Sequence, residues 1–208
     1  VHMSFMNILG QEYLDVHEET TVRRELAGVE VALVLDVTGS MAGNNIAALK
    51  TASHNFIDIM FERISDLEYL KIGIVPFSAS VNVGNGLAAG FVSYPASDPY
   101  KSPPTTIAYN SGSSGTTTNW RGCIRERTSP LDTTDAATPN WGMYRYPKVS
   151  GNTNPNNSCT NSRIVPLTNN RTTLDATITG LSTGGNTYGN VGMVWGWRLS
   201  SSKFPFTQ

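Results

Sequence analysis

The chain has 208 residues, room for one domain or for one domain carrying a large insertion, and its 15 basic and 16 acidic residues nearly cancel. That balance supplies neither the basic face of a nucleic-acid binder nor a polybasic patch for an anionic membrane surface. No run approaches the roughly 18–20 apolar residues that span a bilayer, and Val1-His2-Met3-Ser4-Phe5-Met6 lacks the basic-then-apolar order of a signal peptide.

Residues 1–28 form a leading segment in which Tyr13, Leu14, Val16 and Val22 lie among Asp, Glu, Thr and Arg; part of it reads as an extended strand. Residues 29–37, VEVALVLDV, are nearly all apolar and rich in β-branched side chains, the signature of a strand buried on both faces of a parallel sheet. The polar turn Thr38-Gly39-Ser40 ends it. Over 42–64, Ile46, Leu49, Phe56, Ile57, Met60, Phe61 and Ile64 recur at three- and four-residue steps, so the spacing predicts an amphipathic helix. Residues 69–77 read as a second strand, which makes a right-handed βαβ unit with parallel strands.

From 82 to 162 the pattern dissolves into Gly, Ser, Thr, Asn and Pro, and a stretch of this length reads as a loop-rich insertion. Its aromatic residues Trp120, Trp141, Tyr144 and Tyr146 read as anchors of a small satellite core more readily than as a ligand platform. Cys123 and Cys159 fall inside it, far in sequence from His2, His17 and His54, so a mixed Cys/His zinc site is not expected. Two buried thiols are one reading. The preferred one is a disulfide closing the loop, worth roughly 3–4 kcal/mol by chain entropy and implying an oxidising compartment. Order returns with a short strand over 163–167, a helix over 172–181 with Leu174, Ile178 and Leu181 on one side, a Gly-Gly loop at 184–187, and a helix over 191–199.

The loop after the first strand carries the most chemistry. Open α/β sheets place ligands at the carboxyl ends of their strands, and here Asp36, Thr38 and Ser40 alternate, so that one carboxylate and two hydroxyls can converge. A hard-oxygen set of this kind suits Mg²⁺ first, with Mn²⁺ or Ca²⁺ as alternatives, and not Zn²⁺ or copper. The following helix N-terminus adds a field that favours an incoming anion. The plainer alternative is that Asp36 and Ser40 cap that helix.

Residues 31–41 closely resemble the metal-ion-dependent adhesion site (MIDAS) of von Willebrand factor A (vWA) domains, whose pattern is Asp-x-Ser-x-Ser after an apolar strand. Thr38 keeps the middle hydroxyl. The family also supplies a Thr from a Gly-Gly-Thr-type loop; Gly184-Gly185-Asn186-Thr187 and Gly192 match with one extra residue, which makes Thr187 the fourth metal candidate, its alternative being a helix N-cap. The resemblance covers 29–81 and 163–208 and implies a three-layer α/β/α (Rossmann-like) sandwich, mostly parallel, of strand order 3-2-1-4-5-6 with strand 3 antiparallel. In this scheme 1–28 flanks the domain, 29–81 opens it, 82–162 is inserted between strands 2 and 3, and 163–208 continues it. The family's further Asp follows strand 4, so the chain is expected to stop short of the last acid and of the carboxyl-terminal part of the domain. Strand 1 is then left at an edge. A narrower similarity, carried by residues 5–10, Trp120-Arg121-Gly122-Cys123, Pro166-Leu167-Thr168 and Trp195-Gly196-Trp197-Arg198-Leu199, is to TadG-like proteins of bacterial tight-adherence (Tad/Flp) pilus systems. It implies an envelope location, periplasmic or extracellular, with a membrane anchor upstream of this chain.

Three functions follow as expectations. The first is a non-catalytic, metal-dependent protein-binding module in pilus assembly or surface attachment, whose metal takes an acidic residue of a protein partner, a pilus component being one candidate. The second is a structural scaffold with an idle metal site whose insertion makes the contacts. The third and most remote is a phosphotransferase of the haloacid-dehalogenase type; those need a second acid two residues after the strand-end Asp, where Thr38 stands. No Gly-x-Ser-x-Gly elbow or P-loop is present, and residues 84–90 miss the dinucleotide fingerprint by one residue.

Overall fold

A computed structural model describes residues 28–84, 107–111, 114–118, 121–127, 129–136, 141–143, 156–203 and 206. Strand β1 (Val29–Asp36) leads through a single 3-10 turn (Gly39–Met41) into helix α1 (Asn44–Arg63), and β2 (Leu70–Phe77) returns parallel to β1, with Val29 opposite Leu70 and Asp36 opposite Phe77. The βαβ unit read from the hydrophobic pattern is therefore present. Helix α1 is two residues shorter at its start and one at its end than the stripe suggested. It begins after Gly43, whose φ of +78° is a conformation that a side chain resists.

The far side of β2 carries β8 (Val165–Thr168), antiparallel, with Ile72 opposite Thr168 and Ile74 opposite Val165. Beyond the end of β2 the sheet continues through β3 (Val81–Asn82), β6 (Cys123–Arg125) and β7 (Gly142–Met143), and β4 (Ile107–Ser111) pairs separately with β5 (Ser114–Thr118). The fold is thus mixed α/β. Its sheet is mixed: β1–β2 is the one parallel pair among the described residues and the longest ladder of its sheet, because only there does a helix carry the chain back to the same end, and the shorter strands pair antiparallel. Among those residues β1 has a partner on one side only.

Alternation along the strands sorts two apolar cores. Val31, Leu33, Leu35, Leu70, Ile72 and Ile74 meet α1 and helix α2 (Arg171–Thr179) through Ile57, Leu174 and Ile178. Each of these isoleucines is fully buried, worth about 1.5–3 kcal/mol. Asn170 caps α2 by accepting from Thr173 N–H. Ala32, Val34, Val75 and Phe77 face the opposite way, towards helix α3 (Gly189–Leu199) and its Val191, Trp195 and Leu199. β2 is therefore buried on both faces, as its near-continuous apolar sequence requires, whereas β1, expected to be buried in the same way, is exposed at Val29 and Glu30 and half-buried from Val31 to Val34 because it has a strand partner on one side only among the described residues.

The described parts of 82–162 are fastened to α3. Cys123 and Cys159 form a disulfide with Cα atoms 6.1 Å apart. Trp141 is fully buried and packs against Trp195 with ring centres 5.5 Å apart and planes tilted by 47°, so it belongs to the α3-side core and not to a satellite. Trp120, Tyr144 and Tyr146 lie outside the described residues. Arg198, 1% exposed, donates from Nη1 to both oxygens of Glu126 at 2.9 Å, and from Nε and Nη2 to the carbonyls of Thr134, Leu131 and Asp132. Trp195 Nε1–H donates to the same carboxylate at 3.2 Å.

Candidate metal-binding loop

Asp36 ends β1 at the carboxyl edge of the parallel pair, and the chain then turns sharply. Thr38 N–H donates to Asp36 Oδ1 at 2.8 Å, which orients the carboxylate over its own turn and leaves Oδ2 outside that bond. The hydroxyls of Thr38 and Ser40 lie 3.1 Å apart. Thr38 is fully buried while Ser40 is exposed, so the row of oxygens runs from the interior to the surface.

The turn is fixed by its neighbours. Val37 N–H donates to Phe77 O at 3.1 Å, which extends the β1–β2 ladder by one bond. The Gly-Gly loop then clasps it from the side: Gly184 N–H donates to Val37 O at 2.9 Å, and Gly39 N–H to Gly185 O at 3.0 Å. Gly185 holds φ +78°, and a Cβ there would lie 2.9 Å from Ser158 Cα. Ser78, one residue past β2, donates its hydroxyl to Ser158 O at 2.8 Å, and its backbone carbonyl accepts from Tyr188 N–H at 3.2 Å. Segments far apart in sequence, 36–40, 78, 158 and 184–188, thus meet at one end of the sheet. Thr187 is on the clasping loop, two residues beyond Gly185, and is exposed.

The capping alternatives do not hold. The N-cap of α1 is Gly43, with no side-chain bond to the helix, and Asp36 bonds within its own turn. The N-cap of α3 is Tyr188 and not Thr187, again without a side-chain bond.

The donor set fits a hard divalent ion. Adjacent ligands held at about 2.1 Å in an octahedron are about 3.0 Å apart, close to the separation of the Thr38 and Ser40 hydroxyls. Asp36, Thr38 and Ser40 would hold such an ion, with Thr187 on the adjoining loop. Among the described residues no group of three or more His, Cys, Asp or Glu is gathered, so the row offers one carboxylate and neutral hydroxyls.

The sequence reading missed Ser78, Ser158 and the tie between the two loops. Gly185 was a readable signal for a close backbone approach; Ser158 was not, since it sits in a low-complexity stretch. Compared with protein-family models, curated proteins and solved structures, the chain matches none.

Proposed function

We propose that the chain is a non-catalytic, divalent-metal-dependent protein-binding module of vWA type, acting in the bacterial cell envelope in the manner of TadG-like proteins of pilus assembly or attachment. The observation that carries this reading is the oxygen row Asp36, Thr38, Ser40, held at the carboxyl end of a parallel strand by the Gly184-Gly185 loop, on which Thr187 also lies. The antiparallel β8 beside β2, and helices on both faces of β1 and β2, agree with the family's order of strands 3, 2 and 1. A bound divalent ion supplies an electrophilic point for the carboxylate of a partner. The protein's own part is to orient the Asp36 carboxylate, bury Thr38 and expose Ser40 and Thr187. The disulfide fits an oxidising compartment.

The test is a calorimetric titration of Mg²⁺, Mn²⁺ and Ca²⁺ into the chain and into Asp36→Ala. Saturable binding that disappears in the variant supports the reading; a folded chain that takes none of the three ions rejects it.

One observation favours the second reading, a scaffold whose insertion makes the contacts: the insertion is locked to α3 through Arg198, Glu126 and Trp141. Excising it would open the core, so exposed point variants of the insertion, set against Asp36→Ala in partner binding, distinguish the two.

A further inference from the structure

Ser158 is where the insertion meets the metal-binding loop, and its backbone holds φ +61°, a left-handed conformation that a residue with a side chain rarely adopts. Such a conformation persists where the surroundings impose it. Two sets of contacts do so here. On one side Ser158 O accepts from the Ser78 hydroxyl at 2.8 Å, and a Cβ on Gly185 would lie 2.9 Å from both Ser158 Cα and Ser158 O, so the two backbones touch. On the other side the next residue, Cys159, is tied by the disulfide to Cys123 in β6, and its N–H donates to Asn156 O at 3.2 Å.

From Ser158 the contacts run without a break to the oxygen row. Gly185 O accepts from the N–H of Gly39, which stands between Thr38 and Ser40, and Gly184 N–H donates to the carbonyl of Val37, which stands between Asp36 and Thr38. The turn 156–159 belongs to no helix or strand. Besides the disulfide it is held by hydrogen bonds, from Arg121 N–H to Asn156 Oδ1 at 3.0 Å and from Asn82 Nδ2 to Thr160 O at 3.1 Å. Water can replace each of those bonds, so their net strength is modest. The covalent link is the fastener that water cannot replace.

We infer that the Cys123–Cys159 disulfide gates the metal-binding loop. Closed, it fixes Ser158 against Gly185 and so keeps the Gly184-Gly185 loop on the Asp36 turn; with both thiols reduced, the Gly-Gly loop releases that turn. Ser158 is thus a positioning residue that acts through the Gly-Gly loop and is not a ligand. Closure passes two protons and two electrons from the cysteines to the disulfide of a thiol–disulfide oxidant, which leaves as two thiols. Ion uptake is thereby tied to arrival in an oxidising compartment. The effect on ion binding rests on the metal reading above, whereas the effect on the clasp rests on the hydrogen bonds alone.

The test compares three states of the intact chain: oxidised, reduced with dithiothreitol and freed of it under argon, and re-oxidised with oxidised glutathione. Each is titrated with Mg²⁺ by calorimetry. Amide hydrogen exchange is followed by NMR without metal at Gly39 and Gly184, with the Gly180 amide at the end of α2 as a reference that opens locally. Reduction is expected to weaken Mg²⁺ binding by roughly 10–100-fold, the usual effect of losing a group that orients ligands. Exchange at Gly39 and Gly184 should rise by about tenfold or more while Gly180 stays unchanged, and both effects should reverse on re-oxidation. Unchanged Mg²⁺ affinity, unchanged exchange at the two clasp amides, or an equal rise at Gly180 would overturn the inference. Absence of Mg²⁺ binding in all three states rejects the metal reading and leaves the clasp to be decided by exchange. For a reduced chain that does not stay folded, Ser78→Ala takes its place, since it removes the bond to Ser158 O with the disulfide still closed. Faster exchange at Gly39 and Gly184 in that variant supports Ser158 as the positioning residue, and unchanged exchange rejects it.

Discussion

Gly196 of α3 faces Val34 of β1 so closely that a Cβ on the glycine would lie 2.4 Å from Val34 Cγ2. The same helix brings Gly192 against Phe77, where a Cβ would meet the ring at 2.5 Å, and Leu199 against Gly73, where the distance is 2.4 Å. Glycine on both sides of this contact lets α3 approach the sheet at backbone range. Alanine is the better helix former by up to about 1 kcal/mol, but Val34 is β-branched and stiff on a strand, so it cannot swing aside. Gly196→Ala is therefore expected to destabilise by about 1–3 kcal/mol. Adding Val34→Ala should return part of that loss, a non-additivity that urea denaturation of the four chains would reveal.

Arg198 is a cation that the core can hold only while Glu126 and three carbonyls surround it. Arg198→Met leaves Glu126 opposite an apolar chain and is expected to cost about 3–5 kcal/mol, the usual penalty for breaking one side of a buried pair. Replacing Glu126 by Met together with Arg198 should cost less than the single change, as a double-mutant cycle in urea would measure.

The Cys123–Cys159 disulfide spans a sequence separation of 36 residues. Loop entropy makes that worth about 4 kcal/mol. Cys123→Ser with Cys159→Ser, or reduction of the native chain, should lower the denaturation midpoint accordingly. A loss well under 1 kcal/mol would mean that the unfolded loop is already restrained.

Thr38 separates the metal reading from a purely structural turn. Thr38→Val keeps its buried volume and removes the hydroxyl, whereas Thr38→Ser keeps the hydroxyl. On the metal reading the first change should weaken Mg²⁺ binding by more than the roughly 10–100-fold typical of outer ligand partners, and the second should leave it near wild type. Equal affinities for both variants would remove Thr38 from the ligand set.

Asp135 links the insertion to the end of α3. The Ser201 hydroxyl, and then Lys203, hold its carboxyl below the ordinary range. A depressed folded-state value means a contribution fully present above the unfolded carboxyl pKa and lost as pH falls through the folded one. Asp135→Asn should therefore lower Tm at neutral pH and approach the parent Tm below about pH 4, near and under the ordinary Asp value. A gap that stays constant with pH would assign the effect to packing.

The sequence by itself determined the βαβ unit and both later helices, and it put a strand at 163–167 that is found at Val165–Thr168, because apolar period is a local property that burial enforces while element ends are not. It also supplied the alternation of Asp36, Thr38 and Ser40, since side chains in a short turn are neighbours whatever the rest of the chain does. The insertion was illegible for the opposite reason. Strands of two or three residues, such as Val81–Asn82 and Cys123–Arg125, are too short to show a period, and what holds them is pairing with distant partners. Arg198 left a trace, a lone charge in an apolar helical stripe that must find an acid, yet nothing local names Glu126. Only the tertiary structure decided that Gly184 and Gly185 would clasp the Asp36 turn, that Trp141 would pack against Trp195, and that Arg127 and Asp132 would line one cleft. Each of these is a meeting of segments far apart in the chain, set by packing and backbone hydrogen bonds that no local pattern encodes.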